Sequence, residues 1–352
     1  MADKLRCAVI GAGGAIGLQH LLSLQSCPRA AAVAISETNL QRAREACDRF
    51  KIPRNYNDYR ELLEQPDIEA VTIAVPNYLH ASITIDALKA RKHVLLEKPM
   101  TTSLKDALKI AEAAKKSKST LMVGQNFRFN RHTQLARMSI ERGELGEIYH
   151  ARTFWLRRAG IPRIGSWFTQ RKFAGGGCVY DIGSHFLDLA LHLMKDFDVE
   201  SVLAQTHAKF GPRGWGEFDW GRSEVDPKKP CDVEDYCAAL LKLKTGHTVQ
   251  MEISWAAFVP PDGREFGVDL LGTNGGLSLF PARLFRNGPN GLESIYLQAP
   301  KVPYSEDRIH HFVGSVLDGK KPMVTVEESL KVQQILEAIY TSAETGREIR
   351  LK

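Results

Sequence analysis

Apolar and polar positions along the first 125 residues switch repeatedly between two periods. Short apolar runs, typical of buried strands, are followed by segments in which apolar residues recur every three or four positions, as on one face of a helix. The predicted strands are residues 5–10, 30–35, 70–75, 93–96 and 120–124, and the predicted helices are residues 18–24, 39–50, 79–90 and 103–117. Strands that alternate with helices predict an α/β fold with a parallel, doubly wound sheet, whose ligands bind at the carboxyl ends of the strands.

The pattern changes at about residue 126. A predicted helix at 132–142 is followed by strand-like segments at 148–155, 238–244, 248–255 and 267–271, several of them joined by short glycine turns. This succession predicts a C-terminal α/β domain built on a mainly antiparallel open sheet. Because 352 residues exceed what one ordinary core holds, we expect domains at 1–125 and 126–352. A final helix at 325–345 is expected to pack back toward the first domain.

Composition narrows the class of protein. Hydrophobic residues make up 43% and charged residues 25%, as in soluble globular proteins, and no apolar run reaches the roughly 20 residues of a membrane span. Basic residues are interleaved with acidic ones, so the net charge of +6 gives little support for nucleic acid as a partner. The six cysteines show no CxxC and no metal-finger spacing, and no metal site is expected. With no signal-peptide pattern at the N-terminus, we expect a cytoplasmic protein.

A glycine-rich turn, GAGGAIG at residues 11–17, lies between the first predicted strand and the first predicted helix. In that context glycines let backbone N–H groups and the helix N-terminus approach a pyrophosphate. Glu37 follows the second predicted strand, where a carboxylate accepts hydrogen bonds from the adenosine ribose and repels a 2′-phosphate. The pattern therefore predicts a Rossmann domain that binds NAD, although Arg42 and Arg44 leave NADP open. The alternative for Glu37 is a surface residue at the start of a helix.

The stretch AGGGCVYDIGSHFLDLALHL, residues 174–193, joins a glycine triplet to a predicted helix. Gly175, Gly176 and Gly177 permit a close backbone approach that any side chain would block. Asp181 and His185 lie one helical turn apart on the polar stripe, and a carboxylate beside an imidazole can act as a general acid/base pair. The alternative is a core helix whose polar stripe is hydrogen-bonded to neighbouring loops.

Lys98 stands at the carboxyl end of the strand predicted at 93–96. Pro99 restricts the backbone of Lys98 to an extended conformation, which would hold its ammonium group at the crevice above the sheet. The alternative is an ordinary surface lysine in a loop.

Taken together, these residues give the chain a resemblance to the glucose–fructose oxidoreductase and inositol dehydrogenase family, also called Gfo/Idh/MocA. The matching segments are AVIGAGGAIGLQHL, AVTIAVPNYLHASITIDAL, KHVLLEKPM, VGQNFRFN, AGGGCVYDIGSHFLDLAL and TVEESLKVQQILEAIYTSAETGREI, in family order over nearly the whole chain. The chain departs from the family at Gly17, the third glycine of the turn, which comes one residue late. It also departs at Arg91, where the family often has glycine.

The resemblance implies a nicotinamide cofactor in the Rossmann domain and a catalytic set of Lys98, Asp181 and His185. We expect the cofactor, NAD, to contact Gly11, Gly13, Gly14, Ala15, Ile16, Glu37, Pro76, Asn77, His80, Glu97, Lys98, Gln125 and Trp167. We expect the substrate to contact Lys98, Arg128, Arg157, Arg158, Trp167, Phe168, Asp181 and His185.

The function expected is NAD-dependent hydride transfer between the nicotinamide and a secondary hydroxyl of a sugar, glycoside or cyclitol, with sugar C3 the position suggested by a weaker resemblance. His185 would take the hydroxyl proton, Lys98 would hydrogen-bond the same oxygen, and Asp181 would orient His185 or bind a neighbouring hydroxyl. Two alternatives stay open: redox-neutral cleavage of a glycoside by the same fold, and a non-catalytic NAD-binding regulator. The resemblance also implies a homodimer or homotetramer with the open sheet at its interface.

Overall fold

The computed structural model describes residues 4–351. The helices are α1 (Ala15–Ser26), α2 (Leu40–Phe50), α3 (Tyr59–Leu63), α4 (His80–Lys89), α5 (Leu104–Lys116), α6 (Arg131–Glu141), α7 (Arg171–Ala174), α8 (Ser184–Met194), α9 (Arg308–Leu317) and α10 (Val326–Thr345). The strands are β1 (Leu5–Ile10), β2 (Ala30–Ser36), β3 (Asn55–Tyr56), β4 (Ala70–Ile73), β5 (His93–Leu96), β6 (Leu121–Val123), β7 (Ile148–Leu156), β8 (Ile161–Pro162), β9 (Val199–His207), β10 (Glu217–Phe218), β11 (Tyr236–Leu243), β12 (Thr248–Ser254), β13 (Phe266–Gly272), β14 (Gly276–Ser278), β15 (Arg283–Gly288), β16 (Gly291–Tyr296) and β17 (Ile349–Arg350).

The first sheet has six strands in the order β3-β2-β1-β4-β5-β6, and every neighbouring pair is parallel. This is the order of a Rossmann fold, so the predicted doubly wound sheet is confirmed. Its central strands are apolar and buried because helices cover both faces.

The second sheet has nine strands in the order β16-β15-β14-β13-β7-β12-β11-β9-β17. Its neighbours are antiparallel except β7 and β12, which are parallel, so the predicted mainly antiparallel sheet is confirmed. Side chains alternate between a buried face, which packs with α8 and α10, and an outer face that carries exposed residues.

The C-terminal helices contact both halves of the chain. Ile309 and Phe312 of α9 are fully buried in the core of the first sheet. On α10, Gln333 Oε1 accepts a hydrogen bond from Thr101 N at 3.3 Å, and Glu337 Oε2 accepts one from the backbone N–H of residue 104 at 2.9 Å. The last two helices therefore hold the two sheets together.

The glycine triplet lies in a space too small for side chains. A Cβ atom on Gly176 would lie 1.8 Å from Tyr340 Oη, and one on Gly177 would lie 2.0 Å from the carbonyl oxygen of Glu234. The Glu234 carboxylate is buried and accepts hydrogen bonds from the N–H of Gly177 and of Val179, each at 3.0 Å. The close backbone approach expected at this triplet is thus made to α10 and to the segment before β11.

One feature of the helix that follows was not predicted. A π-helical turn, Val179–Gly183, precedes α8 where the sequence predicts a regular helix. The carbonyl oxygen of Asp181 accepts hydrogen bonds from the side chains of Lys98 (2.9 Å) and Ser184 (3.0 Å). Side-chain donors of this kind compete with the helical hydrogen-bond ladder and widen the turn.

The tight packing at the triplet predicts a specific stability effect. Gly176→Ala should lower the free energy of unfolding by about 1–3 kcal/mol, because the new methyl group overlaps Tyr340. Gly263→Ala is the control, since its nearest neighbour would be 3.7 Å away, and it should stay within about 0.5 kcal/mol of the parent. Denaturant unfolding measures both, and equal stability of the two variants would contradict the packing described.

Candidate active site

The side chains of Lys98 and Asp181 meet between the two sheets. Lys98 follows β5, and its Nζ atom lies 2.8 Å from Asp181 Oδ1 and 2.9 Å from the Asp181 carbonyl oxygen. An ammonium group has three N–H donors. Asp181 accepts two of them, so one donor of Lys98 is left for a ligand oxygen.

Asp181 is held on both carboxylate oxygens. Oδ1 accepts from Lys98, and Oδ2 accepts from the indole N–H of Trp255 at 2.9 Å. Burial alone would raise the pKa of Asp181, but the charge and hydrogen bond of Lys98 bring it below the usual value. Neither oxygen is hydrogen-bonded to His185 in this structure, and the expected role of Asp181, to orient His185 or to bind a neighbouring hydroxyl, stays a prediction.

His185 lies one turn after Asp181 and packs edge-on against Phe127 at 5.3 Å between ring centroids. Its Nδ1 atom is buried with no hydrogen-bond partner in the described part of the chain. Burial, aided by the nearby charge of Lys98, holds the pKa of His185 well below 6.5. The imidazole is therefore uncharged at neutral pH and can accept a proton.

The glycine turn is arranged to receive a dinucleotide. Gly13 N donates to Glu37 Oε2 at 2.8 Å, and a Cβ atom on Gly13 would lie 2.6 Å from the same oxygen. Asn39 N donates to Glu37 Oε1 at 2.9 Å, so the carboxylate is fixed at the rim of the turn. Helix α1 begins after Gly14 with no side-chain cap and no acidic residue in its first turn. Its first N–H groups, beginning at Ala15 and Ile16, are thus available to an anion.

A second polar group suits the nicotinamide end of such a cofactor. Gln125 follows β6, and its Oε1 atom is buried with no hydrogen-bond partner among residues 4–351. A buried, unpaired amide oxygen of this kind can accept from the carboxamide of a nicotinamide. The residues of the first domain therefore fit NAD, which Glu37 would hold at the adenosine end and Gln125 at the nicotinamide end.

Two residues expected to contact the cofactor have other partners. The Glu97 carboxylate is buried with His20 and Arg308, His20 Nε2 lying 2.8 Å from Glu97 Oε1. His80 is buried with its ring nitrogens 2.8 Å from the Pro99 carbonyl and 3.0 Å from that of residue 75. These side chains support the turn around Lys98, so their assignment to the cofactor is corrected.

The assignment of Arg128 to the substrate is corrected as well, because its side chain has other partners. Its side chain is fully buried, and its guanidinium donates to both oxygens of Asp188 at 2.7 and 2.6 Å and to Glu328 at 2.8 Å. Arg128 therefore joins α8 to α10, and its guanidinium is not available to a substrate.

The remaining expected residues have different surroundings. Asn77, next to Pro76, donates its amide to the Ala174 carbonyl at 2.8 Å and so joins β4 to the glycine triplet. Trp167 and Phe168 stack with ring centroids 3.8 Å apart. Arg157 lies over the Trp155 ring at 4.3 Å and acts electrostatically on Asp181, whereas Arg158 is exposed.

The long loop at 210–230 reaches the first domain. Its strand β10 pairs with β8, and Arg163 Nη1 donates to the Ser223 carbonyl at 2.8 Å. Arg222 Nη2 lies 2.6 Å from Glu45 on α2, and its Nη1 lies 3.4 Å from the Gly13 carbonyl. The loop therefore lies beside the glycine turn.

Among the residues that the structure describes, no group of three or more His, Cys, Asp or Glu side chains could hold a metal ion. No helix within 4–351 is long and apolar enough to cross a membrane.

The fold and the site together define a nicotinamide-dependent oxidoreductase. Family models agree: residues 5–125 match the oxidoreductase family with an NAD-binding Rossmann fold, and residues 133–278 match the GFO/IDH/MocA C-terminal domain. The chain belongs to the Gfo/Idh/MocA oxidoreductase family.

Relatives of the chain include several sugar dehydrogenases. It is 30% identical to D-glucoside 3-dehydrogenase of Escherichia coli (strain K12), over 99% of this chain and 98% of the relative. It is 32% identical to levoglucosan dehydrogenase of Pseudarthrobacter phenanthrenivorans, over 71% of this chain and 67% of the relative. A solved levoglucosan dehydrogenase in complex with NADH and levoglucosan superposes with a TM-score of 0.87 at 25% identity, covering 99% of each chain.

The setting of Glu37 predicts how the protein discriminates between cofactors. NAD should bind more tightly than NADP, and Glu37→Ala should narrow the ratio of their dissociation constants by roughly 10-fold or more, since hydrogen bonds to a charged group are lost. Asp48→Ala, which removes an exposed carboxylate from the neighbouring helix α2, is the matched control and should leave the ratio nearly unchanged. Isothermal titration measures both constants, and tighter binding of NADP by the parent protein would refute the role given to Glu37.

Proposed function

We propose that this protein is an NAD-dependent sugar dehydrogenase that transfers a hydride between the nicotinamide and a secondary hydroxyl of a sugar, glycoside or cyclitol. The observation that carries the proposal is the arrangement at the carboxyl end of β5. There, Lys98 keeps one free N–H donor near an uncharged His185. The dehydrogenases among its relatives support the same reaction class.

Each side chain has a distinct task in the oxidation of the hydroxyl. Lys98 donates its third N–H to the reacting oxygen and stabilises the negative charge that develops there. His185 accepts the hydroxyl proton at Nε2, which requires the neutral ring to carry its own proton on the buried Nδ1. Asp181 holds Lys98 in place. A bound NAD would supply the acceptor for the hydride that leaves the carbon carrying this oxygen.

The substrate expected is a glycoside or anhydrosugar oxidised at C3. The similarity to a D-glucoside 3-dehydrogenase over nearly the whole chain supports this position. The stacked Trp167 and Phe168 add an aromatic surface, which suits the apolar face of a sugar ring. Redox-neutral glycoside cleavage and a purely regulatory role are not favoured, because the relatives compared above are dehydrogenases.

The catalytic assignment is tested by turnover of glucosides, levoglucosan and inositols with NAD⁺, read as NADH absorbance at 340 nm. On the best substrate, Lys98→Ala should lower kcat about 10²–10³-fold and His185→Ala about 10²–10⁴-fold. The losses should not add fully in the double variant, because both residues serve one oxygen. NAD affinity should stay nearly unchanged in each variant.

Lys89→Ala, an exposed lysine at the end of α4, is the control and should turn over like the parent. A His185→Ala protein with parental turnover would end the assignment. Product without stoichiometric NADH would instead favour redox-neutral chemistry.

We also propose that the outer face of the second sheet forms a homodimer or homotetramer contact. Leu203 on β9 and Leu240 on β11 are directly paired and are 51% and 50% exposed. Leu271 on β13 shares this face and is 44% exposed. Exposed apolar side chains on an uncovered sheet face favour association. All six cysteines are free thiols, which supports the expected reducing cytoplasm.

The assembly proposal predicts a mass in solution. Light scattering at micromolar concentration should give two or four chains, and Leu203→Glu combined with Leu240→Glu should give monomers, since two charges would be buried at the contact. Leu292→Glu is the control, because Leu292 is 78% exposed on β16 at the sheet edge. A monomeric parent protein would contradict the proposal.

A further inference from the structure

Trp255 completes the surroundings of Asp181. It directly follows β12, is 1% exposed, and donates its indole N–H to Asp181 Oδ2 at 2.9 Å. The ring is thus part of the core, and its one polar atom is hydrogen-bonded to the carboxylate that holds Lys98.

The Trp255 ring is held rigidly. Its backbone N–H donates to the Asp235 carbonyl at 2.9 Å, and Ser254 Oγ donates to the same oxygen at 3.1 Å. The ring also borders the glycine triplet, because a Cβ atom on Gly177 would lie 3.1 Å from its Cζ3 atom. A fixed ring presents its N–H in one direction only.

The Trp255 indole N–H limits the orientations open to the Asp181 carboxylate. An indole N–H can donate but cannot accept. If Asp181 rotated toward His185, it would leave that buried donor unsatisfied, which is costly. With Oδ2 occupied in this way, Oδ1 and the Asp181 carbonyl remain on Lys98.

We infer that Trp255 is a positioning residue for the reaction, which fixes Asp181 so that Lys98 presents its remaining N–H to the substrate oxygen. The inference rests on the proposed function, because it acts through the role given there to Lys98. Trp255 itself touches neither substrate nor cofactor in this account.

A spectroscopic test needs no substrate. In protein labelled with ¹⁵N-tryptophan, the Trp255 indole resonance is assigned by its loss in Trp255→Phe. It should shift in Asp181→Asn. The Trp155 resonance is the internal control, since its indole N–H donates to Glu265 at 3.0 Å and should shift in Glu265→Gln instead. A Trp255 indole resonance whose chemical shift is the same in Asp181→Asn as in the parent protein would overturn the inference.

A kinetic test removes only the hydrogen bond. Replacing Trp255 with benzothienylalanine, whose sulfur takes the place of the N–H, should lower kcat roughly 10- to 100-fold, the range for losing a hydrogen bond to a charged group. KM and NAD affinity should change little. Placed in Asp181→Asn, the same replacement should add no more than about 3-fold, because residues that act as one unit are not additive.

The outcomes distinguish a failure of the inference about Trp255 from a failure of the proposed function. An equal loss of kcat in both backgrounds would mean that Trp255 acts only through packing and would overturn the inference. If no sugar is oxidised by the parent protein, the proposed function fails, while the resonance shift still reports whether Trp255 binds the Asp181 carboxylate.

Discussion

The ion pair between Lys98 and Asp181 is the interaction on which the site depends. It joins a turn of the NAD-binding domain to the helix that carries His185, and the two side chains are only 14% and 15% exposed. Burying two charges is costly unless further hydrogen bonds compensate. Here the Asp181 carbonyl and the Trp255 indole provide them. The pair therefore fixes the chemistry and the placement of the two domains together.

The surrounding packing maintains this pair. The glycine triplet lets the backbone approach Tyr340 and the Glu234 carbonyl more closely than any side chain would permit. On the other side, Glu97 and His80 anchor the turn that carries Lys98 through buried contacts. Glu97 and His80, which the sequence analysis assigned to the cofactor, thus support the turn that carries Lys98. They are buried and polar because they hold the reactive groups at fixed positions.

Local pattern was enough to predict both kinds of sheet, although not the strands β9, β15 and β16. It also singled out Lys98, Asp181 and His185, whose catalytic roles stay a prediction. The alternation of strands and helices, the glycine turn and the EKP segment each depend on neighbours within a few positions. Partners distant in sequence could not be predicted this way. Glu97 meets Arg308 across 211 positions, and Asp181 meets Trp255 across 74. Arg128 and His80 were misassigned for the same reason, since a buried polar residue looks the same in sequence whether it binds a ligand or another side chain.

The most direct test of the account is the distance from Lys98 Nζ to the reacting oxygen in a crystal structure of the complex with NADH and the best substrate. We predict a hydrogen bond of about 2.7–3.2 Å, with Nζ still bound to Asp181 and Asp181 still bound to Trp255. A lysine turned away from that oxygen, or an Asp181 carboxylate paired with His185, would contradict the account.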